Sequence, residues 1–205
     1  MKFIRRAKKG FWIALILLTV SSIIFTFLSS TNVIDYDSYD FNELETGDIL
    51  FCRGKSIKSS LVILFNRGTT KYSHCGVIYK KKTIYYIIHA TPTPVDHKNG
   101  RVVKERLEDF FSSNNVTIFS VYRMDSDHRN YIGKSFPFLM SYLKRKIIFD
   151  DDFDLKNRKL YCTELIWRIY KDAGLQLICH SDYNEIIYPS DLLKSKYLNP
   201  IFTSR

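Results

Sequence analysis

The sequence is poor in the residues that characterise fibrous, disordered or heavily cross-linked chains. It has only 8 Gly and 5 Pro among 205 residues, and 45% of its residues are hydrophobic. Collagen-like and disordered chains need far more Gly, Pro or net charge, so both classes are excluded. The 4 Cys include no C-x-x-C pair, which argues against a disulfide-rich miniprotein and against a zinc site of short ligand spacing. One ordinary globular domain with a short appendage remains.

Acidic residues are missing from the N-terminus, where much of the net charge of +10 is concentrated. Five of the 31 basic residues stand in the first nine positions: Lys2, Arg5, Arg6, Lys8 and Lys9. The other 26 oppose 21 acidic residues over the rest of the chain. Because this remaining excess is small and spread out, the charge does not predict nucleic acid as a partner.

A run of 18 uncharged, mostly apolar residues, 11–28, follows the basic segment. Its length fits a membrane-spanning helix of about 17–25 residues better than the apolar part of a signal peptide, about 7–15 residues. Residues 1–10 should therefore stay in the cytoplasm, with the rest of the chain on the other side of the membrane. Cleavage after the small residues 29–31 would instead give a secreted protein.

Residues 29–40 are rich in Ser, Asp and Tyr and predict a linker, which leaves residues 41–205 as the folded domain. Strand patterns occur at Asp48–Cys52, His74–Tyr79, Ile84–Ala90, Arg101–Lys104 and Val116–Tyr122, and more weakly near Leu175–Cys179 and Tyr197–Phe202. Helical patterns occur at Ile57–Asn66, Leu107–Phe111, Asp127–Arg145, Tyr161–Ala173 and Ser190–Ser195. Strands in the middle with helices around them, without βαβ alternation, predict an α+β domain.

The segment 73–90 predicts a β-hairpin with a four-residue loop, Lys80 to Thr83. If Tyr79 faces Ile84, then His74 and His89 become direct cross-strand neighbours on one face, and Cys75 points to the other face. Gly76 beside them would allow another element to approach closely. This pair predicts a functional site about as readily as it predicts two half-buried strand histidines.

A nucleophile is best sought at the start of the helix that follows Tyr161. Cys162, Leu165, Ile166 and Ile169 form a core-facing stripe, so Cys162 points inward from the first turn. The N-terminus of a helix lowers the pKa of a thiol and can bind an oxyanion. A plain packing role for this Cys remains the alternative, and periodicity by itself favours it.

The ordered set of motifs resembles the YiiX-like branch of the NlpC-type papain-fold cysteine hydrolases. The motifs are Gly47–Leu50, Tyr72–Ile78, Ile88–Ala90, Tyr161–Ile166 and Pro189–Leu192. This branch is circularly permuted, because its His strand precedes its nucleophile helix. The resemblance spans about residues 44–193 and implies a permuted papain-like fold, in which helices pack on a central antiparallel sheet. With the apolar run, the chain would carry one transmembrane helix before that domain.

The resemblance also implies roles for three residues of this chain. Cys162 would be the nucleophile, His74 the general base and His89 the third catalytic residue, which orients the base. Relatives often fill the last position with another polar residue, Glu among them. Cys75 occupies a slot that is usually aliphatic and receives no role. Because the chemistry needs these side chains free, no cofactor and no metal is expected.

Three functions stay open at this stage. The first is a membrane-anchored hydrolase that acts outside the cytoplasm on an amide or peptide, possible substrates including cell-wall material. The second uses the same residues on acyl lipids, and the third is a non-catalytic module that binds a ligand. The acidic run Asp150–Asp154 lacks the Gly and the distal Glu of a calcium loop, so it predicts a solvated loop near the rim of the site.

Overall fold

Six antiparallel strands form one sheet at the centre of the domain. The computed structural model describes residues 32–55, 70–92, 99–178 and 186–204. The strands are β1 (Ile49–Gly54), β2 (His74–Lys81), β3 (Ile84–Thr91), β4 (Arg101–Arg106), β5 (Val116–Met124) and β6 (Leu198–Thr203). Their order across the sheet is β4-β3-β2-β1-β5-β6. The alternating and β-branched patterns in the sequence predicted all six, within two residues at each end.

Four helices accompany the sheet in the described parts of the chain: α1 (Leu107–Asn114), α2 (Asn130–Arg145), α3 (Cys162–Asp172) and α4 (Pro189–Leu193). All four were predicted, although α1 runs beyond Phe111 to a left-handed Asn115. The predicted helix Ile57–Asn66 lies outside the described residues. The weak strand near Leu175–Cys179 was wrong over residues 175–178, because Leu175 and its apolar neighbours enter the core as irregular chain after the helix ends.

Both faces of the sheet are covered, each by a core of its own. One face packs on α2, α3 and α4 through a cluster that includes Ile49, Phe51, Cys75, Val77, Ile88, Leu139, Leu165, Ile166 and Leu192. The other face packs on α1 and the chain before β1 through Phe41, Leu44, Leu50, Cys52, Ile78, Ile87, Phe110 and Phe111. Successive strand residues alternate between the two clusters, as the pleat of a strand requires. The resulting α+β architecture agrees with the prediction.

The packed unit begins before the predicted domain start at Phe41. The backbone N–H of Ile34 donates to Val116 at 2.7 Å. Tyr36 stacks on Phe41 with ring centroids 4.7 Å apart, and Tyr39 lies edge-on to Phe119 at 5.1 Å. These aromatic side chains explain why the second half of the predicted linker is ordered against the domain.

The predicted transmembrane segment, residues 11–28, falls outside the described residues. Across the ranges that the structure describes, none of the helices combines the length and the apolar character that crossing a membrane requires.

The Gly47–Asp48 motif fixes the entry to β1. Gly47 has φ +99°, a conformation that favours Gly, and a Cβ there would come within 2.4 Å of the Ile132 side chain. The buried Asp48 carboxylate accepts two hydrogen bonds from the Arg123 guanidinium, at 2.7 and 2.8 Å. It also accepts the N–H of Glu45 at 2.8 Å. This motif therefore serves the fold and joins β1 to β5.

Candidate active site

The hairpin of β2 and β3 has a tighter turn than the sequence predicted. Lys81 pairs with Ile84, so the loop is the two residues Lys82 and Thr83. Lys82 has φ 58°, and a positive φ in a two-residue turn matches the twist of the strands. The predicted pairing of Tyr79 with Ile84 was therefore wrong by two positions. An even shift keeps every side chain on its predicted face.

His74 and His89 are diagonal neighbours on one face of the sheet, and their rings meet directly. His74 Nε2 and His89 Nδ1 lie 2.8 Å apart, with the two ring planes nearly perpendicular at 86°. The Phe110 ring of α1 lies against both imidazoles, with centroids 5.9 Å from His74 and 5.1 Å from His89. The predicted direct cross-strand pair is replaced by a diagonal pair that is already within hydrogen-bond distance.

Glu105 of β4 extends this pair by one member. Its Oε2 lies 3.3 Å from His89 Nε2, and only 10% of its side chain is exposed. Ile87 pairs with Glu105 and His89 with Val103, so Glu105 reaches His89 diagonally on the same face. Sequence reasoning missed Glu105. A charged residue at an inward-facing position of a strand could have pointed to it. That position identifies His89 as its neighbour only when the register of β3 and β4 is known.

Burial controls the charge state of His89. Its exposed fraction is 1%, and loss of hydration lowers its pKa from the ordinary value of 6.5 against the opposing effect of Glu105. His89 is therefore neutral near pH 7. A neutral imidazole has one donor and one acceptor nitrogen, and the Glu105 carboxylate can only accept. The N–H of His89 consequently sits on Nε2, and Nδ1 is left to accept from His74.

Gly76 makes this contact possible. A Cβ at position 76 would lie 2.6 Å from Ile87 Cγ1 and 2.9 Å from His89 Cβ. Neither distance occurs between real side chains without displacement. The absence of a side chain at Gly76 therefore lets β3 come close to β2, and this brings the His89 ring against the His74 ring.

The first turn of α3 is anchored on both sides. Tyr161 is the N-cap, and its backbone N–H points to Glu164 Oε2 at 3.5 Å. The Tyr161 hydroxyl accepts the N–H of Ile187 at 2.9 Å, and the Thr163 hydroxyl donates to the carbonyl of Ile187 at 2.6 Å. The sequence showed no clear cap. The cap that forms combines a carboxylate at the third helical position with ties to the chain before α4.

Cys162 stands at the first position of this helix and is partly exposed. It packs against the apolar cluster that contains Cys75. Cys75 is the largest cause that holds the pKa of Cys162 well below its ordinary value of 9.0, and the charge of His74 adds to this effect while burial opposes it. Burial raises the pKa of Cys75, so Cys75 remains a thiol and Cys162 is the thiolate.

Cys162 and His74 approach each other from opposite faces of the sheet. Cys162 packs on the cluster that holds Cys75, whereas His74 contacts Phe110 in the opposite cluster. The pairing of β2 with β3 ends at Val77 and Ile88, although both strands continue for three residues. His74 contacts His89 directly, and it is near enough to Cys162 to lower the pKa of that thiol. The structure thus places all three residues predicted for the site in one region.

The acidic run after α2 is exposed over residues 151–154, as a solvated loop should be, but its first residue departs from that prediction. Asp150 is fully buried and accepts the N–H groups of Asp152 and Asp154 and the side-chain amide of Asn157. Arg168 of α3 donates to the carbonyl of Asn157 at 3.2 Å. The Asp150 carboxylate therefore holds the loop in shape, and the loop in turn contacts α3 through Arg168.

Arg168 also pairs with the buried Glu164, at 2.7 Å. Loss of hydration raises the pKa of Glu164 to about 7, although the guanidinium opposes this shift. The carboxyl group is thus close to its protonation midpoint at neutral pH while it caps the helix. Its position on the buried side of α3 gives it a structural role.

Comparison with known proteins agrees with this fold. The family model "permuted papain-like amidase enzyme, YaeF/YiiX, C92 family" matches residues 43–199. The uncharacterized protein YiiX of Escherichia coli (strain K12) is 25% identical over 138 residues, which cover 63% of this chain. The chain matches only 58% of the length of that relative.

A solved structure shares the fold. The crystal structure titled metalloprotein yiiX from Escherichia coli O157:H7 superposes with a TM-score of 0.61 at 18% identity, over 78% of this chain and 97% of that one. The order of elements, with the His strand before the Cys helix, is the permuted order that the motifs implied. Since the family model covers most of the chain, the protein belongs to the permuted papain-like amidases.

Proposed function

We propose that this domain is a cysteine hydrolase that cleaves an amide or peptide bond through an acyl-enzyme on Cys162. The observation that carries the proposal is a line of polar contacts from His74 to His89 at 2.8 Å and from His89 to Glu105 at 3.3 Å. The line ends near Cys162, whose pKa is lowered chiefly by Cys75 and further by His74. A nucleophile, a base and a group that orients the base are the parts that covalent acyl transfer needs.

The tautomers of the two imidazoles follow from Glu105. Because Glu105 keeps the proton of His89 on Nε2, His89 Nδ1 accepts from His74 Nε2–H. The lone pair of His74 Nδ1 is then free to face the Cys162 sulfur. In this arrangement His74 takes the thiol proton and becomes an imidazolium, which donates a hydrogen bond to His89 and a proton to the leaving amine. His89 and Glu105 act as positioning residues, since neither touches the substrate.

The chemistry then proceeds in two halves. The Cys162 thiolate attacks the substrate carbonyl, and the oxyanion lies at the N-terminus of α3, where the Cys162 N–H has no partner within the helix. The amine leaves with the proton from His74. Water, deprotonated by the same imidazole, hydrolyses the thioester and restores the thiolate.

A metal role does not fit the donor atoms of this site. The solved relative is titled a metalloprotein. Among the residues that the structure describes, no three His, Cys, Asp or Glu side chains are grouped so as to hold a metal ion. The imidazole nitrogens of His74 and His89 point at each other and do not converge on a shared point. No step of the mechanism is therefore assigned to a metal.

The location of the reaction is part of the proposal. The basic residues 2–9 and the apolar run 11–28 favour an anchor with its N-terminus in the cytoplasm. The domain would then act outside the cytoplasm, close to the membrane. Peptide or cell-wall amides are the substrates that we propose for this location.

Alkylation and acylation of the full-length chain test the proposal. Iodoacetamide at neutral pH should label Cys162 first and should label Cys52 and Cys75 far more slowly, because burial raises the pKa of both of those thiols. Equal labelling of all cysteines would contradict a thiolate at Cys162.

The substrate class is tested by the intact mass of the chain after it is mixed with peptide amides or, separately, with phospholipid vesicles. An acyl adduct from the peptide amides that is absent in Cys162→Ser supports the proposal. An adduct from the phospholipid alone would replace the amide substrate by a lipid. Selective alkylation without any acyl adduct would favour a binding module.

A further inference from the structure

Phe153 combines an unfavourable backbone conformation with a ring that is left partly in solvent. Its φ is +54°, in the left-handed region where a bulky residue is an outlier. The residue keeps 37% of its surface exposed, so burial in the core does not account for its conformation. Backbone strain that the surrounding structure maintains is concentrated at functional sites.

The Asp150 carboxylate holds Phe153 in this conformation. It accepts the N–H of Asp152 at 3.2 Å and the N–H of Asp154 at 2.7 Å, so the residues on both sides of Phe153 are tied to one side chain. Asp150 is fully buried, and water therefore competes little for these hydrogen bonds. The ring is presented by a turn that is fixed on both sides.

This turn lies beside the proposed nucleophile. The Phe153 ring packs on the Tyr161 ring, with centroids 5.1 Å apart and planes at 59°, and Tyr161 is the N-cap residue directly before Cys162. At the base of the turn, the N–H of Asp150 donates to the carbonyl of Leu160 at 3.2 Å. The exposed ring therefore lies at the start of α3.

The same turn is joined to the strand that carries His89. The N–H of Phe149 donates to the carbonyl of Gly100 at 2.9 Å, directly before β4, and β4 pairs with the end of β3 that includes His89. The Phe149 ring lies edge-on to the Phe153 ring, with centroids 6.4 Å apart. Phe153 thus stands between the start of α3 and the end of β3, the two elements that supply Cys162 and His89.

We propose that Phe153 is a specificity-determining residue of the hydrolase, and that its exposed ring contacts a large apolar side chain on the acyl part of the substrate. The contact rests on the proposed function, because it needs an acyl group on Cys162, and it names the class of amide. The acyl part is the one concerned, since it becomes attached to the residue that follows Tyr161. Covering the ring removes apolar surface of both partners from water, and aromatic pairs gain further from edge-on or offset contact.

Affinity labels test this contact without requiring turnover. The full-length chain is treated with N-acetyl-Phe chloromethyl ketone or, separately, with N-acetyl-Gly chloromethyl ketone, and alkylation of Cys162 is followed by intact mass and peptide mapping. We expect the Phe reagent to react about tenfold faster than the Gly reagent. In Phe153→Ala the ratio of the two rates should fall close to one, and in Phe153→Leu part of the ratio should remain.

Two controls separate specificity from a structural role. Iodoacetamide has no such side chain, so its rate with Cys162 reports the reactivity of the thiolate and should be the same in Phe153→Ala and in the wild type. Phe138→Ala is the matched variant, because Phe138 of α2 has the same exposed fraction, 37%, and lies outside the turn. It should keep the wild-type ratio.

Phe153→Gly decides the outcome even where Phe153→Ala does not fold, because Gly adopts a positive φ without strain and also lacks the ring. Equal rates of the two ketones in the wild type, or a wild-type ratio in Phe153→Gly, would overturn the inference. So would a loss of the iodoacetamide rate along with the ratio, since the ring would then only support the start of α3.

The exposed carboxylates beside the ring are tested with N-acetyl-Lys chloromethyl ketone. If this reagent reacts faster than the Phe reagent, the acidic residues select the substrate and the role of Phe153 is wrong. If iodoacetamide labels Cys162 selectively but the ketones do not differ, only this inference fails. If none of the reagents labels Cys162, the proposed function fails as well.

Discussion

The two faces of the central sheet receive different residues of the same strand, β2, and surround them with different side chains. On the α3 side, β2 contributes Cys75 to an apolar cluster, and Cys162 arrives from the helix. On the α1 side, β2 contributes His74, which rests on Phe110 and is backed by the buried pair of His89 and Glu105. The proposed nucleophile and the proposed base thus belong to different cores. They meet only at the end of β2, where pairing with β3 stops.

This difference separates two tasks. On the α3 face, Cys75 contributes most to the lowered pKa of Cys162, and the charge of His74 adds to it. The α1 face sets the tautomer of the base through a neutral histidine and a carboxylate. Each face can therefore be perturbed separately, and the size of the effect should reflect which task is lost.

The largest effect should come from removing either of the two groups that meet. Cys162→Ser and His74→Gln should each slow acylation by about a thousandfold or more, because residues of one nucleophilic unit do not act alone. Both side chains are partly exposed, so the midpoint of thermal unfolding should change little. The measurement is the rate of acyl-adduct formation by intact mass. A rate in His74→Gln that stays near that of the wild type would show that the two faces do not cooperate.

Gly76→Ala should disturb the α1 face most. The added methyl group would collide with Ile87 and with the Cβ of His89, and such overpacking costs about 1–3 kcal/mol of the free energy of unfolding. The acylation rate should fall as well, because His89 moves away from His74. Gly133→Ala is the matched control, since a Cβ there meets no atom within 4 Å and an exposed helical Gly gains about 1 kcal/mol on substitution by Ala. Urea unfolding of both variants checks the prediction, and equal stabilities would contradict it.

Glu105→Gln should have a moderate effect on the base alone. An amide can donate to His89 Nε2 as well as accept from it, so the tautomer is no longer imposed, and kcat/KM should fall about tenfold while KM changes little. Nitrogen NMR of His89 should show a mixture of tautomers. Glu108→Gln is the matched control, because Glu108 pairs with Arg106 on the exposed surface of α1. The role assigned to Glu105 is wrong if the two variants behave alike.

The smallest effect concerns stability against acid. Because burial lowers the pKa of His89 below 6.5, the unfolded chain binds its proton more readily than the folded chain. The contribution of neutral His89 is fully present above pH 6.5 and is lost as the pH falls through the lower pKa of the folded state. The free energy of unfolding should therefore decline below pH 6.5, and His89→Gln should flatten this decline. Denaturant titrations at several pH values measure the slope, and an unchanged slope would contradict a neutral, buried His89.

Periodicity predicted most of the fold, because both cores follow from simple alternation. The stripe of Leu165, Ile166 and Ile169 is buried as expected, and the faces of His74 and Cys75 were assigned correctly. The register of the hairpin was not assigned correctly. Lys82 adopts a left-handed conformation in the turn, and Lys is not a residue from which that conformation is predicted. A four-residue and a two-residue loop leave the same residues on the same face, so the pattern could not distinguish them.

The candidate site was predicted only as far as local patterns and motifs reach. Cys162, His74 and His89 each stand in a recognisable motif. Glu105 does not stand in a motif. Its place beside His89 depends on the register of β4 against β3, and the sequence between these strands does not fix that register. The effect of Cys75 on the pKa of Cys162 was also missed. Opposite faces of a strand argued against a shared role for Cys75 and His74, and the end of the β2–β3 pairing removes that separation.

The strand order has a consequence for the synthesis of the protein. The first four strands occupy four contiguous positions of the six-stranded sheet, and β5 and β6 then add to the free edge of β1 in the order in which they are made. On the ribosome, the base and both of its positioning residues emerge well before α3. A nascent chain therefore carries His74, His89 and Glu105 before it carries Cys162, so the proposed activity requires the last part of the domain to fold onto the sheet.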